Sequence, residues 1–386
     1  MNGVLSLRKF VAPEFVFGVD ARNLVARYAS NFLARNILIV TDPGIIRAGW
    51  TADIADNLEA AGINYHIFSD VSCNPHDDEV MVGAEVYEKR QCDSIVAIGG
   101  GSPIDCAKGI GIVSSNKKHI LSFEGVDQVD KPGPPLICIP TTAGSSADVS
   151  QFAIITDTRR KVKIAIISKT LVPDVSLIDP VTATTLTQEL TAYTGMDALV
   201  HAFEAYVSTA NSVVTDLFAL EAIRLMSRGL LPAMQSPLDH EIRSRTMLGS
   251  LYAGLAFSNA SLGAVHALAH ALGGFLDLPH GECNAILLSH VVEFNFEAAI
   301  NRYESIGEAM GLNLKNLNAS EKKAAIIGEI DRLRKTLDFG KTLGQLGVTK
   351  SDIPALAGKA IKDPCLATNP RRPTVKDLEA IYGRAL

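Results

Sequence analysis

Ser94-Ile-Val-Ala-Ile-Gly-Gly-Gly-Ser-Pro-Ile-Asp-Cys-Ala-Lys108 runs from an unbroken apolar stretch through three glycines into a segment with helical spacing. It reads as a buried β-strand, Ile95–Gly99, a tight turn, and a helix opening at Pro103. Proline suits a first helical position and Ser102 is a good N-cap, with Asp105 three residues on. The same alternation repeats outward from this point. Apolar runs at Glu14–Gly18, Ile37–Thr41, Leu136–Pro140, Phe152–Thr156 and Val175–Ile178 read as strands, most of them buried on both faces. Asp53–Ala61, Asp77–Lys89 and Pro103–Ile112 carry the spacing of helices. Strand and helix in turn predict a mostly parallel sheet with helices on both sides.

Beyond about Leu186 the texture changes. Long amphipathic segments follow one another: Glu189–Val207, Val213–Ser227, Glu241–Phe257, Ser261–Gly273, Lys322–Leu337 and Val375–Tyr382. No strand-like alternation interrupts them. The turn-rich stretch Asp179–Leu186 is the natural boundary, so an α/β domain is expected over 1–187 and an all-α domain over 188–386. Internal repeats and low-complexity segments are absent.

Hydrophobic residues make up 47% of the 386 and charged ones 20%, the balance of a packed globule that needs no disulfide framework. Lys and Arg number 36 against 42 Asp and Glu, a net charge of −6 with no basic run, which argues against nucleic acid as a partner. The most apolar region, Leu251 to Leu278, is broken by Ser258, Asn259, His266 and His270, so no membrane span is expected. The first ten residues carry no signal-peptide pattern. Six scattered cysteines without a C-x-x-C pair read as reduced thiols. A cytoplasmic protein is expected.

The glycine turn at 99–101 would let backbone N–H groups approach phosphate oxygens, with a helix N-terminus behind them. It is neither a P-loop nor a G-x-G-x-x-G fingerprint, and alone it is equally a tight strand-to-helix turn. Asn36-Ile-Leu-Ile-Val40 ends at Thr41-Asp42-Pro43-Gly44, where an acidic side chain past a strand can hold ribose hydroxyls and repel a 2′-phosphate. Asp-Pro-Gly is more often simply a capped turn. A third strand ends in Pro140-Thr-Thr-Ala-Gly-Ser-Ser146, rich in hydroxyls. Three polar, glycine-bearing strand ends on one sheet edge favour a nucleotide site.

The histidines cluster. Asp197 and His201 are four apart, as are His266 and His270, and His280 follows just past the second of these helices. Positions i and i+4 share a helix face, so each pair can converge. Each is bracketed by apolar or small residues, where an ionised Asp needs a partner or a metal. A single such histidine is usually a satisfied core residue; two pairs and a third histidine are harder to explain that way. Carboxylate and imidazole donors suit Fe(II), Zn or a similar cation. Spacing alone leaves open which of His266, His270 and His280 complete the shell.

Taken together, the motifs resemble the iron-containing alcohol dehydrogenase family along nearly the whole chain. Gly99-Gly-Gly-Ser-Pro-Ile-Asp-Cys-Ala-Lys108 is similar to its diphosphate signature, and Thr194-Gly-Met-Asp-Ala-Leu-Val-His-Ala-Phe-Glu204 and Gly263-Ala-Val-His-Ala-Leu-Ala-His270 to its metal helices. His280-Gly-Glu-Cys-Asn-Ala-Ile-Leu-Leu288 and Asp363-Pro-Cys-Leu-Ala-Thr-Asn-Pro-Arg371 also fit. The resemblance implies that Asp197, His201, His266 and His280 bind the metal, with His270 left free beside the nicotinamide. It implies NAD over NADP through Asp42, and a cofactor site built from Asn74, Gly100, Gly101, Ser102, Asp105, Thr141, Thr142, Val149 and Lys163. Phe152, Phe257 and Cys365 would line the alcohol pocket.

Where the family commonly has Gly-Thr-Gly-Ser-Glu-Val-Thr, this chain has Gly144-Ser-Ser-Ala-Asp-Val-Ser150, with Ala147 for serine and Asp148 for glutamate. The implied chemistry is hydride transfer between a primary alcohol or its aldehyde and NAD, with the metal as Lewis acid and His270 passing the proton. Rivals on related scaffolds are glycerol-type polyol dehydrogenases, which use fewer ligands, metal-free maleylacetate reductases and a dehydroquinate-synthase-like lyase. A regulatory protein that kept the fold with little turnover is a rival of another class. The resemblance also implies a homodimer, formed through the N-terminal strand.

Overall fold

The computed structural model describes residues 7–276 and 278–386. The chain forms two compact units. One comprises Val11–Leu186 with Pro237–Met247; the other comprises Thr187–Ser236 and Leu248–Leu386 and includes Arg8 and Phe10. The first unit thus takes in a short segment from well beyond residue 187.

In the first unit, β1 (Glu14–Phe17), β2 (Asn36–Val40), β3 (Asn64–Phe68), β4 (Ser94–Gly99), β6 (Leu136–Pro140) and β9 (Val175–Ile178) form a six-stranded sheet in the order β1-β9-β6-β4-β2-β3. Every pairing in it is parallel. Side chains alternate across each strand and feed two separate cores. Ile37, Ile39, Val96 and Ile98 pack with Val25, Ile54 and Leu58, from α1 (Val25–Asn31) and α3 (Trp50–Ala60). Leu38, Val40, Ile95 and Ala97 pack with Val80, Ile104 and Ile110, from α4 (Asp77–Lys89) and α5 (Gly101–Asn116). The short α2 (Pro43–Arg47) follows β2.

A second sheet of three strands, β5 (Gly125–Val126), β8 (Val162–Ile167) and β7 (Phe152–Asp157), lies outside this run. β7 pairs antiparallel with β8, so the Phe152 run is a strand but does not join the main sheet. The sequence reading assigned neither β3 nor β8: β3 is mixed in polarity and only partly buried, whereas β8 is apolar but for Lys163.

The second unit holds no strand among its described residues. Its helices are α6 (Gln188–Val207), α7 (Val213–Gln235), the C-terminal part of α8 (His240–Ala260), α9 (Ala264–Leu276), α10 (His280–Asn295), α11 (Ile300–Ala309), α12 (Ala319–Thr336), α13 (Ile353–Ala360) and α14 (Val375–Ala385). The parallel sheet and the helical C-terminal region agree with the fold class read from sequence. His280 is the first residue of α10, a helix the sequence reading did not assign. No helix of the described residues is long and apolar enough to cross a membrane.

α6 begins where Thr187 accepts the Leu190 N–H, and almost its whole length from Gly195 on is buried. Gly195 permits that depth: a Cβ there would lie 2.2 Å from Leu230 Cδ1 of α7.

Candidate active site

The four donors come from three helices of the second unit. Asp197 and His201 lie one turn apart on α6, His266 sits early in α9, and His280 opens α10. Asp197 Oδ1 is 3.6 Å from His201 Nε2 and 3.7 Å from Nε2 of both His266 and His280. A tetrahedral ion with bonds of about 2.1 Å needs donors roughly 3.4 Å apart. The spacing is therefore close to a coordination shell and too long for direct hydrogen bonds. Gly281 fixes the third helix against the first, since a Cβ there would meet Tyr193 O at 1.9 Å.

Carboxylates behind the cluster set the tautomers. Glu204, on the same stripe of α6 as Asp197 and His201, accepts from the backbone N–H groups of Gly263 and Val265 at 3.0 and 2.6 Å. Its Oε2 also accepts His266 Nδ1–H at 2.6 Å. With Nδ1 held by Glu204, Nε2 is the ring nitrogen directed at the cluster. Asn284 Nδ2 donates to Asp197 Oδ1 at 2.7 Å, while its own buried Oδ1 has no hydrogen-bond partner. Burial alone would raise the Asp197 carboxyl, yet His201, His280 and His266 outweigh it and hold it well below the usual range. Burial lowers His266, but Asp197 and Glu204 win and push it up to about 9. One carboxylate and three imidazole nitrogens at this spacing form a donor set that a divalent cation fits, in place of the imidazole protons.

His270 lies one turn beyond His266, and its ring stacks on that of His280 with centroids 5.2 Å apart. Its Nδ1 donates to Asp363 Oδ2 at 2.8 Å, and Asp363 Oδ1 accepts Cys365 N–H at 2.8 Å. Burial would raise Asp363, but His270 and the Cys365 bonds bring it down to about 2. Phe257 stacks on His201 at 4.2 Å, and Cys365 is buried.

In the first unit, Asp42, Gly100, Gly101, Ser102, Thr141 and Thr142 lie just past the C-terminal ends of β2, β4 and β6, three adjacent strands, while Asn74 follows β3, Asp105 is on α5, Val149 precedes β7, and Phe152 and Lys163 are on β7 and β8 of the second sheet. The connections after β2 and β4 leave in opposite directions, which makes this end a topological switch point, where open α/β sheets bind ligands. Gly99 has φ +154°, and a Cβ there would lie 2.6 Å from Pro103 Cγ. α5 starts at Gly101, not Pro103, so Ser102 is not the N-cap; its hydroxyl donates to Cys73 O at 2.5 Å. A Cβ on Gly100 would meet Thr142 at 3.0 Å, and one on Gly101 would meet Ser145 at 2.8 Å. Only glycines let the 141–146 loop lie this close to the turn.

Thr141 Oγ1 is buried and has no hydrogen-bond partner. Asp42 Oδ1 accepts from Gly44 and Ile45 N–H at 2.7 and 3.1 Å, the capped turn expected of Asp-Pro-Gly. One oxygen takes both bonds, so the other remains an acceptor. Asn74 Oδ1 accepts from Lys163 Nζ at 2.7 Å, joining two predicted residues 89 positions apart. Asp105 turns onto β7 and accepts Ile154 N–H at 3.1 Å; burial raises its carboxyl to about 6 against the pull of Lys108. Val149 and Phe152 are buried. The glycine cradle and the unsatisfied hydroxyl fit a dinucleotide.

Sequence reasoning quoted Glu204, Asn284, Asp363 and Lys108 within motifs but gave them no role. Glu204 had a signal, standing three residues after His201 and seven after Asp197 on one helical stripe. Asp363 had none, lying 93 positions from His270.

Residues 12–180 match the family profile described as iron-containing alcohol dehydrogenase, and 191–386 match its C-terminal counterpart. The chain belongs to the iron-containing alcohol dehydrogenase family. Alcohol dehydrogenase 4 of Schizosaccharomyces pombe is 42% identical over 98% of this chain and 89% of its own. The NAD-dependent methanol dehydrogenase of Bacillus methanolicus is 37% identical over 98% and 99%. A crystal structure of 1,3-propanediol oxidoreductase superposes with a TM-score of 0.96 at 38% identity, over 99% of this chain and 100% of that one. As a member of this family, the chain is an alcohol and aldehyde oxidoreductase.

Proposed function

We propose that this dehydrogenase interconverts a small primary alcohol and its aldehyde with NAD, using a divalent cation, iron by family, held by Asp197, His201, His266 and His280. The observation that carries this reading is the convergence of three imidazole Nε2 atoms within 3.6–3.7 Å of one Asp197 oxygen. The net reaction is alcohol plus NAD⁺ giving aldehyde, NADH and a proton. When bound, the cation supplies Lewis-acid charge at the substrate oxygen and NAD⁺ supplies the hydride acceptor.

The chain's own residues do the rest. An ionised Asp363 can only accept, so His270 carries its proton on Nδ1 and leaves Nε2 free to take one from the alcohol. Glu204 does the same for His266, turning its Nε2 toward the cation. Gly100, Gly101 and Ser102 would offer backbone N–H groups to the diphosphate, with Asp105 behind them tying the helix to β7. Asp42 would take ribose hydroxyls on its second oxygen and repel a 2′-phosphate. Asn74, Thr141, Thr142, Val149 and Lys163 would hold the remainder of the cofactor. Phe257 and Cys365 would shape the alcohol pocket.

The test is metal analysis of anaerobically purified protein, with NADH formation measured over a panel of primary alcohols. A protein that holds no stoichiometric metal, or turns over none of them, defeats the reading. A glycerol-type polyol dehydrogenase is disfavoured because the His201 position is filled and within the shell distance. We also propose a homodimer through β1, which among the described residues pairs only with β9 at the sheet edge and leaves Phe15 41% exposed; sedimentation would show it.

A further inference from the structure

Beside the four-donor cluster lies a second set of ligating atoms, on His270, Asp363 and Cys365. One donor from each lies within 4.8 Å of the others, and all three groups are shielded from solvent. We propose that these residues form a separate site for a thiophilic divalent cation such as zinc or cadmium, distinct from the cation of the reaction.

The chemistry favours this class. The set offers one nitrogen, one oxygen and one sulfur, the donor types that zinc takes in three-ligand sites with a fourth position open. Sulfur biases it toward soft ions, whereas the neighbouring cluster, built from nitrogen and oxygen alone, has no such preference. Asp363 and a Cys365 thiolate together carry the two negative charges that neutralise a divalent ion away from water. Binding releases the Cys365 thiol proton and moves the His270 Nδ1 proton to Nε2, so the imidazole coordinates in its neutral form. The geometry is nearly in place, because edges of about 3.5 Å are needed for zinc and side-chain adjustments of roughly an ångström supply them. Asp363 is already anchored by Cys365 N–H, so two of the three donors are fixed through one backbone turn. Proximity to another cation is no bar, since two-metal sites hold their ions roughly 4 Å apart.

Occupation removes the His270 Nδ1 hydrogen bond to Asp363, so such ions would act as inhibitors. That consequence rests on the role proposed for His270; the binding itself does not, which allows the two to fail separately.

The experiment uses the full chain carrying Cys73→Ser, which removes the one exposed thiol, loaded with one equivalent of zinc and titrated with cadmium chloride. One further equivalent should bind with an ultraviolet thiolate-to-cadmium charge-transfer band. Cys365→Ser should abolish the band, and Asp363→Asn should weaken binding at least tenfold. His201→Ala, which removes a donor from the other cluster, should leave the band in place. Absence of the band at saturation, its persistence in Cys365→Ser, or its loss in His201→Ala overturns the proposal. Should Cys365→Ser fail to fold, unchanged cadmium affinity in Asp363→Asn overturns it equally. Inhibition by cadmium without the band counts against the site as well.

Discussion

Glu204 Oε2 and His266 Nδ1 lie 2.6 Å apart, and the same carboxylate closes the buried N-terminus of α9 by accepting from Gly263 and Val265. One side chain thus both starts the helix and turns its first histidine. Removing it leaves buried N–H groups unsatisfied and frees the ring to rotate. Glu204→Gln should weaken metal binding about 10- to 100-fold, as loss of such outer partners typically does. Competition against a chelator of known affinity would measure it; unchanged affinity would show that α9 alone orients His266.

Asp363→Ala should lower kcat while leaving metal content and the alcohol KM near their wild-type values. Positioned proton transfer contributes about 10²–10⁴-fold, and loss of the orienting bond should forfeit at least tenfold of it. Asp363→Glu should recover part of the rate. A fall in metal content instead would mean that Asp363 serves the cluster and not His270.

Asp42 does two jobs that can be told apart. Asp42→Gly should relax discrimination against NADP, read from kcat/KM with both cofactors. It should also cost about 1 kcal/mol or less of stability through the lost cap of α2, since glycine is the mildest replacement at such positions. A variant that loses stability but keeps its cofactor preference would leave Asp42 as a cap alone.

Ser146 has φ +50° and stands at the second glycine of the family segment compared with Gly144–Ser150. A left-handed backbone costs an L-residue roughly 1–2 kcal/mol, part of which its hydroxyl recovers by bonding Gly144 O. Ser146→Gly should therefore raise stability by about 0.5–1 kcal/mol, measured by denaturant unfolding. A lower midpoint would show that the hydroxyl bonds outweigh the strain.

Gly281→Ala should be severe. The added methyl would lie 1.9 Å from Tyr193 O, backbone that cannot yield, so α10 must shift and carry His280 out of register. Overpacking of this kind costs about 1–3 kcal/mol or more. Metal content should fall in step with stability; a fully loaded and equally stable variant would contradict the close approach of α10 and α6.

The parallel sheet was legible because strands buried on both faces read as apolar runs, and β2, β4 and β6 are of that kind. β3 was not, since its residues mix polar and apolar types and Phe68 alone among them is buried; β8, apolar but for Lys163, was passed over. The Asp197–His201 and His266–His270 pairs were legible because helical spacing is local. His280 was a candidate from its place after that second pair, its role as ligand came only from the resemblance, and its helix was missed because Leu278-Pro279 marks only a break. What spacing cannot show is which groups meet across helices: the bonds from Glu204 to His266 and from Asp363 to His270 span 62 and 93 positions. The departure at Asp148 resolves into a bond from Ser176 on β9 to its buried carboxylate at 2.7 Å, a reach within the same unit.

Cys73 is the one exposed thiol among six free cysteines, and its carbonyl receives the Ser102 hydroxyl beside the glycine turn. A maleimide dye would therefore couple at a single address without any engineering. Its emission would report occupancy of the nucleotide loop in real time, giving an optical binding assay on the unaltered polypeptide.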